Sequence, residues 1–262
     1  MSGLWKSYDG RTALAGLDLA VSPGEIHGLV GPNGAGKTTS LKIVMGLLRA
    51  DAGSVRVLGT DIAQEPHGYQ AVVGYLPEAP SLPDFLTGEE FLGTIARLRG
   101  LTREVAKQRV RELLAEYDLL GRGRDLIVSY SKGMKQKLAI CTALVHKPAL
   151  LIIDEPFLGM DPAGQHKFKA SLRSPNFDGP AVLLSTHMLD TAEHLCDRVT
   201  VLHHGKVVAT GVLDALRNAA RTGRDASLED VFLKVTEEAS QPEPERPPPP
   251  RRWPFRGFPG GL

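Results

Sequence analysis

The sequence predicts an α/β fold: a largely parallel sheet with helices on both faces, interrupted by a helical subdomain. Three observations predict it. Short apolar runs of strand length alternate with helically spaced stretches in the first and last thirds of the 262 residues, the pattern of a helix-covered parallel sheet. One of those runs ends in a glycine-rich loop that opens a helix. From Thr87 to about His146 the apolar spacing is helical almost throughout.

The elements follow in order. AGLDLAV (15–21) alternates by twos before an SPGE turn. EIHGLVG (25–31) is a strand ending in the glycine-rich loop. KTTSLKIVMGLL (37–48) puts Leu41, Val44, Met45 and Leu48 on one helix face. SVRVLG (54–59) and VVGYLP (72–77) are strand-like. Thr87, with Glu90 three residues on, is a capping box for the first middle helix. The next stretch, TREVAKQRVRELLAEYDLLG, gathers Val110, Leu113, Leu114 and Tyr117 on one face. Then come a buried strand ALLIID (149–154), a helix PAGQHKFKASLRS, a strand AVLLST (181–186) and a helix MLDTAEHLCDRV. VTVLHHGKVVATG reads as two strands about an HHGK turn, and SLEDVFLKVTEEA as a short amphipathic helix. One domain is expected over 1–236, its helical subdomain at about 87–147.

The remaining residues, 237–262, read as a separate tail. Eight of the nineteen prolines fall in 241–262. PPPP at 247–250 favours extended polyproline, so a disordered or semi-rigid segment is expected. RRWPFR (251–256) mixes arginines with aromatics, as an untethered end or a membrane-surface or partner contact.

Composition narrows the function classes. Lys plus Arg is 31 against 30 Asp plus Glu, which argues against a nucleic-acid partner. The two cysteines, Cys141 and Cys196, form no CxxC pair and read as buried thiols of a reducing compartment. The N-terminus lacks an apolar signal core, and no run approaches the roughly 18–20 apolar residues of a membrane span. A soluble cytoplasmic protein is expected, and a partner would supply any membrane-spanning part.

GPNGAGKT (31–38) fits G-x-x-x-x-G-K-[ST] between a strand and a helix, the context that makes the match meaningful. Gly31, Gly34 and Gly36 let the backbone curl so that N–H groups converge on phosphate oxygens. The helix from Lys37 adds its N-terminal dipole. Lys37 is expected to reach the β/γ-phosphates, Thr38 to bind Mg²⁺ through its hydroxyl, and Thr39 to add an α-phosphate contact.

GPNGAGKTT resembles the P-loop of ATP-binding cassette (ABC) ATPases, and the resemblance runs from about residue 3 to 236. It implies a P-loop NTPase core with an N-terminal antiparallel β part and the inserted helical subdomain. It implies ATP binding by Gly31, Pro32, Asn33, Gly34, Ala35, Gly36, Lys37, Thr38 and Thr39, with Tyr8 stacking on adenine. LLIIDEP (150–156) resembles the Walker B strand, so Asp154 would reach Mg²⁺ and Glu155 would be the general base. Adjacent carboxylates ending a buried strand are costly unless a cation is near. GMDPAG (159–164) resembles the D-loop, with Asp161 reaching across a dimer. STH (185–187) resembles the switch, with His187 on the γ-phosphate.

Two motifs depart from the family pattern. YSKGM (130–134) stands where L-S-G-G-Q is usual: Tyr130, Lys132 and Met134 are changed. Ser131 and Gly133 keep the two positions that, in the family, contact a partner subunit's ATP, so the motif reads as working. Glu78, after YLP, stands where Gln is common, and either side chain offers an oxygen to Mg²⁺ or water. With Thr38 and Asp154 it completes the expected metal set. This Glu, the YSKGM variant and SLEDVFL (227–233) together resemble ATPases of ABC-2-type exporters.

The resemblance implies hydrolysis of MgATP by a pair of such ATPase subunits driving a separate transmembrane permease for export. The protein would lie on the cytoplasmic face of the membrane, held there only by the permease. A soluble ABC factor and a regulatory half-site inactive in hydrolysis are the alternatives. The first lacks support because one cassette is present and no long coiled-coil insertion. Intact Glu155 and His187 count against the second.

Overall fold

The computed structural model describes residues 1–65, 68–157, 162–173, 180–223 and 225–239. The chain starts with an antiparallel pair, β1 (Ser2–Tyr8) and β2 (Arg11–Leu17). β3 (Ile26–Val30) follows, buried along its whole length, and leads through the glycine loop into α1 (Lys37–Val44). β4 (Ala52–Ser54) pairs with the free edge of β1, giving the order β2-β1-β4. β5 (Arg56–Val57) and β6 (Thr60–Asp61) make a small hairpin before β7 (Val73–Leu76).

The helical subdomain comes next: α2 (Gly88–Leu98), α3 (Arg103–Glu116) and α4 (Lys132–Leu144). The capping box at its start is formed. Thr87 Oγ1 accepts the Glu90 N–H at 3.2 Å and the Thr87 N–H donates to Glu90 at 2.9 Å. The chain then returns to the sheet with β8 (Leu150–Asp154), α5 (Pro162–Leu172), β9 (Ala181–Thr186) and α6 (Leu189–Leu195). β10 (Arg198–His203), β11 (Lys206–Gly211), α7 (Leu213–Ala219) and α8 (Leu228–Glu238) end the described part.

The main sheet has the order β11-β10-β3-β9-β8-β7 and is parallel except for β11. Both faces are covered, and alternate strand residues enter different cores. Leu151 and Ile153 join the helical subdomain core with Leu113 and Ile140, while Ile152 and Leu183 join the α1 core with Leu41 and Val44. Each fully buried Leu or Ile contributes roughly 1.5–3 kcal/mol. A third cluster seats α6, α7 and α8 on β10 through Val201, Leu216 and Val231.

Several expected boundaries move. The strand expected at 15–21 spans Arg11–Leu17, because Asp18 leaves the ladder to accept the Gly3 N–H at 2.8 Å. The helix expected to Leu48 stops at Val44, where the Leu47 N–H turns back to the Lys42 carbonyl at 2.9 Å. SVRVLG is divided between two short strands, β4 ending at Ser54 and β5 at Arg56–Val57. The helix expected over 188–199 ends at Leu195, because the Asp197 N–H joins the Ile26 carbonyl at 2.8 Å and draws the chain into the sheet.

Candidate functional site

β3, β9 and β8 are neighbours, and their carboxyl ends lie level: Val30 is opposite Thr186, and Asp154 opposite Ser185. The residues after them therefore converge. A cavity of about 210 Å³ opens there, lined by Ala13, Pro32, Asn33, Gly34, Gly36, Lys37, Thr38, Thr39, Glu78, Glu155 and His187. Two glycines of the loop, Gly31 and Gly36, are needed for space. A Cβ at Gly36, where φ is 108°, would come within 2.5 Å of the Ala13 carbonyl. One at Gly31 would come within 2.2 Å of the Leu202 carbonyl. The loop is thus wedged between β2 and β10 by its own backbone.

Lys37 and Glu155 are both buried at this cavity. The Lys37 ammonium donates to the Gly31 carbonyl at 2.7 Å and the Pro32 carbonyl at 3.3 Å, and lies 3.4 Å from Glu155 Oε1. Glu155 has φ 46°, a left-handed conformation that costs a non-glycine residue about 1–3 kcal/mol. Its N–H is held by the Ser185 carbonyl at 3.0 Å. The other oxygen, Oε2, lies 3.0 Å from His187 Nδ1 and accepts the His187 backbone N–H at 3.3 Å.

Asp154 is buried one residue earlier. Its Oδ1 accepts from Ser185 Oγ and lies 3.4 Å from Thr38 Oγ1, which donates to it. Thr38, Asp154 and Glu78 offer only oxygen, the donor chemistry of a hard divalent cation such as Mg²⁺. Tyr75 registers the same surroundings: burial, then the Asp154 and Glu78 charges, push its hydroxyl up to about 12. A larger cavity of about 790 Å³ lies at the opposite ends of these strands, among Leu19, Val57, Leu150 and Leu183. It has none of the charged cluster.

A family model described as "ABC transporter" matches residues 14–158. The chain belongs to the ABC transporter family. It is one of the family's ATPases. It is 39% identical over 231 residues to the ABC-type transporter ATP-binding protein EcsA of Bacillus subtilis (strain 168), covering 88% of this chain and 93% of that protein. It is 40% identical over 234 residues to the daunorubicin resistance ATP-binding protein DrrA3 of Streptomyces coeruleorubidus, covering 89% and 73%. A solved structure of an ATP binding subunit of an ABC transporter superposes with a TM-score of 0.84 at 38% identity, over 90% of this chain and 98% of that one.

Other residues singled out in this ABC chain lie away from the cavity. Tyr8 ends β1, partly exposed, with the Lys6 ammonium 5.5 Å from its ring centre. Ala35, within the loop, is buried. Ser131 caps α4, accepting the Met134 N–H at 3.2 Å, and Gly133 is in its first turn. Tyr130 is buried and donates to the Arg122 carbonyl at 2.8 Å, so this departure from the usual Leu is a core contact. Asp161 and the tail from Ser240 lie outside the described residues. Sequence reasoning missed Ala13, whose residue type carries no signal, and the contact of Ser185 with Asp154, which depends on strand register. It also missed Gln136, a buried amide on the α4 face that carries Ile140 and Leu144.

Proposed function

We propose that this chain binds and hydrolyses ATP in order to drive a separate membrane permease, in an export system. The observation that carries the reading is Glu155, turned back by its left-handed backbone between Lys37 and His187 at the mouth of the glycine loop. The loop residues 31–39 would take the phosphates, with Lys37 moving from the Gly31 carbonyl to phosphate oxygens. Tyr8 would hold the adenine. Thr38, Asp154 and Glu78 would hold Mg²⁺, which when bound neutralises phosphate charge.

In the reaction a water oxygen bonds to the γ-phosphorus and its proton goes to a Glu155 oxygen. The β–γ bridging bond breaks, and its electron pair leaves on ADP. His187, with Nδ1 3.0 Å from Glu155 Oε2 and its backbone N–H donating to the same oxygen at 3.3 Å, orients that carboxylate and is itself at the cavity wall.

Ser131 and Gly133 are not among the cavity-lining residues. Their role is therefore assigned in a pair of subunits, each α4 facing the other's ATP, with Asp161 across the interface. Family membership and the relative named for drug resistance support export. Among the described residues no helix is long and apolar enough to cross a membrane. The permease contact is assigned to the face where residues 84–87 run beside 126–128. There the Val128 N–H meets the Asp84 carbonyl at 3.1 Å, and Phe85 (78%) and Val128 (60%) are exposed.

Glu155→Gln tests the reading. It keeps the size and removes the base, so ATP binding is expected to persist, hydrolysis to fall about 100-fold or more, and MgATP to drive dimers on size-exclusion chromatography. Turnover near the wild-type rate removes Glu155 from the role of base.

A further inference from the structure

Gln136 is an amide in an apolar core. It is 5% exposed and lies on the buried face of α4 with Ile140 and Leu144. A buried amide is costly unless it is hydrogen-bonded, and packing alone would be served by Leu or Met. Its Nε2 donates to the Pro156 carbonyl at 3.3 Å. That carbonyl belongs to the residue immediately after Glu155. From the other side, α5 contributes a second amide: Gln165 Nε2 donates to the Phe157 carbonyl at 3.3 Å. Two glutamines on two helices thus hold successive carbonyls just beyond Glu155. Glu155 is the residue whose left-handed backbone needs outside support, since its neighbours must over-determine such a conformation.

The position of Gln136 along its helix gives this contact a direction. Gln136 is five residues from Ser131, about 7.5 Å along a rigid helix axis. The same helix therefore begins at the groups assigned to a second subunit's ATP and, little more than one turn later, grips the backbone that aims Glu155 in its own subunit. We propose that Gln136 is a positioning residue for hydrolysis, coupling the seating of α4 against a second subunit to the geometry of Glu155. The inference rests on the reading of Glu155 as the base.

The test uses the full chain with MgATP and four forms: wild type, Gln136→Met, Glu155→Gln and the double variant. Met keeps the length and suits the core but cannot donate. Gln136→Asn, which draws the donor back by one methylene, is the second variant should Met disturb folding. The measurements are steady-state kcat and KM, affinity for a fluorescent ATP analogue, the thermal midpoint, and single-turnover hydrolysis at excess protein.

Gln136→Met is expected to lower kcat about tenfold, the loss of one hydrogen bond felt at the transition state. KM and nucleotide affinity should stay within about twofold, since the lost contact is not one of ground-state binding. The thermal midpoint should hold. In the Glu155→Gln background the same substitution should have no further effect, because residues that act as a unit are not additive. Wild-type kcat in both Gln136 variants overturns the proposal, and so does an undiminished tenfold effect in the double variant. Normal hydrolysis by Glu155→Gln alone overturns the reading of Glu155 and this inference with it. That single variant therefore separates the two failures.

Discussion

His187 reaches Glu155 twice: its Nδ1 lies 3.0 Å from Oε2, and its backbone N–H donates to the same oxygen at 3.3 Å. Only the first contact depends on the side chain. His187→Ala should therefore leave Glu155 in place but less firmly oriented. Once drawn into line with ATP bound, an Nδ1–H bond to that charged oxygen is worth about 1.5–3 kcal/mol, so kcat should fall roughly 10- to 100-fold. ATP affinity should change little, because the loop at 31–39 is untouched. A variant that loses binding and keeps turnover per bound ATP would show that His187 serves the nucleotide rather than the carboxylate.

Gly36→Ala tests the wedge that shapes the loop. The new methyl would meet the Ala13 carbonyl at 2.5 Å and Leu14 Cδ2 at 2.8 Å, in a backbone at φ 108°. Backbone cannot yield as a flexible side chain does, so the loop must deform. Loss of measurable ATP binding is expected, with the melting temperature lowered by several degrees for about 1–3 kcal/mol of strain. Nucleotide titration and thermal denaturation on the same preparation decide it. Wild-type affinity would mean that the loop accommodates a side chain.

The parts legible in the sequence share a physical cause. GPNGAGKT is local: its glycines and lysine act within one loop, so spacing alone reveals it. The parallel strands read as apolar runs because both faces are covered, as at Leu150 to Ile153 of β8. β1 was not legible, because Leu4 is its single buried side chain and no alternation results. The Ser185 contact with Asp154 and the Gln136 contact with Pro156 arise from register and helix packing across 31 and 20 residues. No local pattern encodes such contacts. What the sequence does show at Gln136 is one polar residue on an apolar helical stripe.

His27 links the sheet to pH. It is buried in β3, with Nε2 2.8 Å from Thr200 Oγ1 and Nδ1 3.0 Å from Glu25. Burial holds its pKa below 6.5; the Glu25 carboxylate pulls it up and Arg198 pushes it down, and burial prevails. The folded state favours the neutral ring, so on acidification the unfolded chain takes the proton first. Stability is therefore full above pH 6.5. It falls below that pH until the folded ring also protonates. Burial also holds His146 and His203 low, and they add to the same slope. Urea unfolding at pH 7.5 and 5.5 should show wild type losing stability on acidification and His27→Gln losing less. Equal losses in the two proteins would mean that His27 is not a source of the acid sensitivity.

The changed signature YSKGM can be tested residue by residue. Lys132 is exposed on the first turn of α4, and nothing lies within 4 Å of where a Gly133 side chain would begin. Within one chain, then, position 133 has room. Gly133→Asp should fold normally and bind ATP normally, since the loop at 31–39 is remote in sequence and unaltered. If α4 faces a second subunit's γ-phosphate, the carboxylate falls against phosphate oxygens and the backbone N–H is displaced. Losing that one charge-assisted bond costs about 1.5–3 kcal/mol, roughly 10- to 100-fold in rate. Repulsion between like charges deepens the loss. Lys132→Gly restores the usual residue at a position whose side chain has no hydrogen bond to lose among the described residues, so it should be nearly silent. The decisive pattern is an unchanged melting temperature for both variants, with ATPase activity lost only in Gly133→Asp. Normal hydrolysis by Gly133→Asp, or a dead Lys132→Gly, would show that the α4 terminus does not meet ATP in this way.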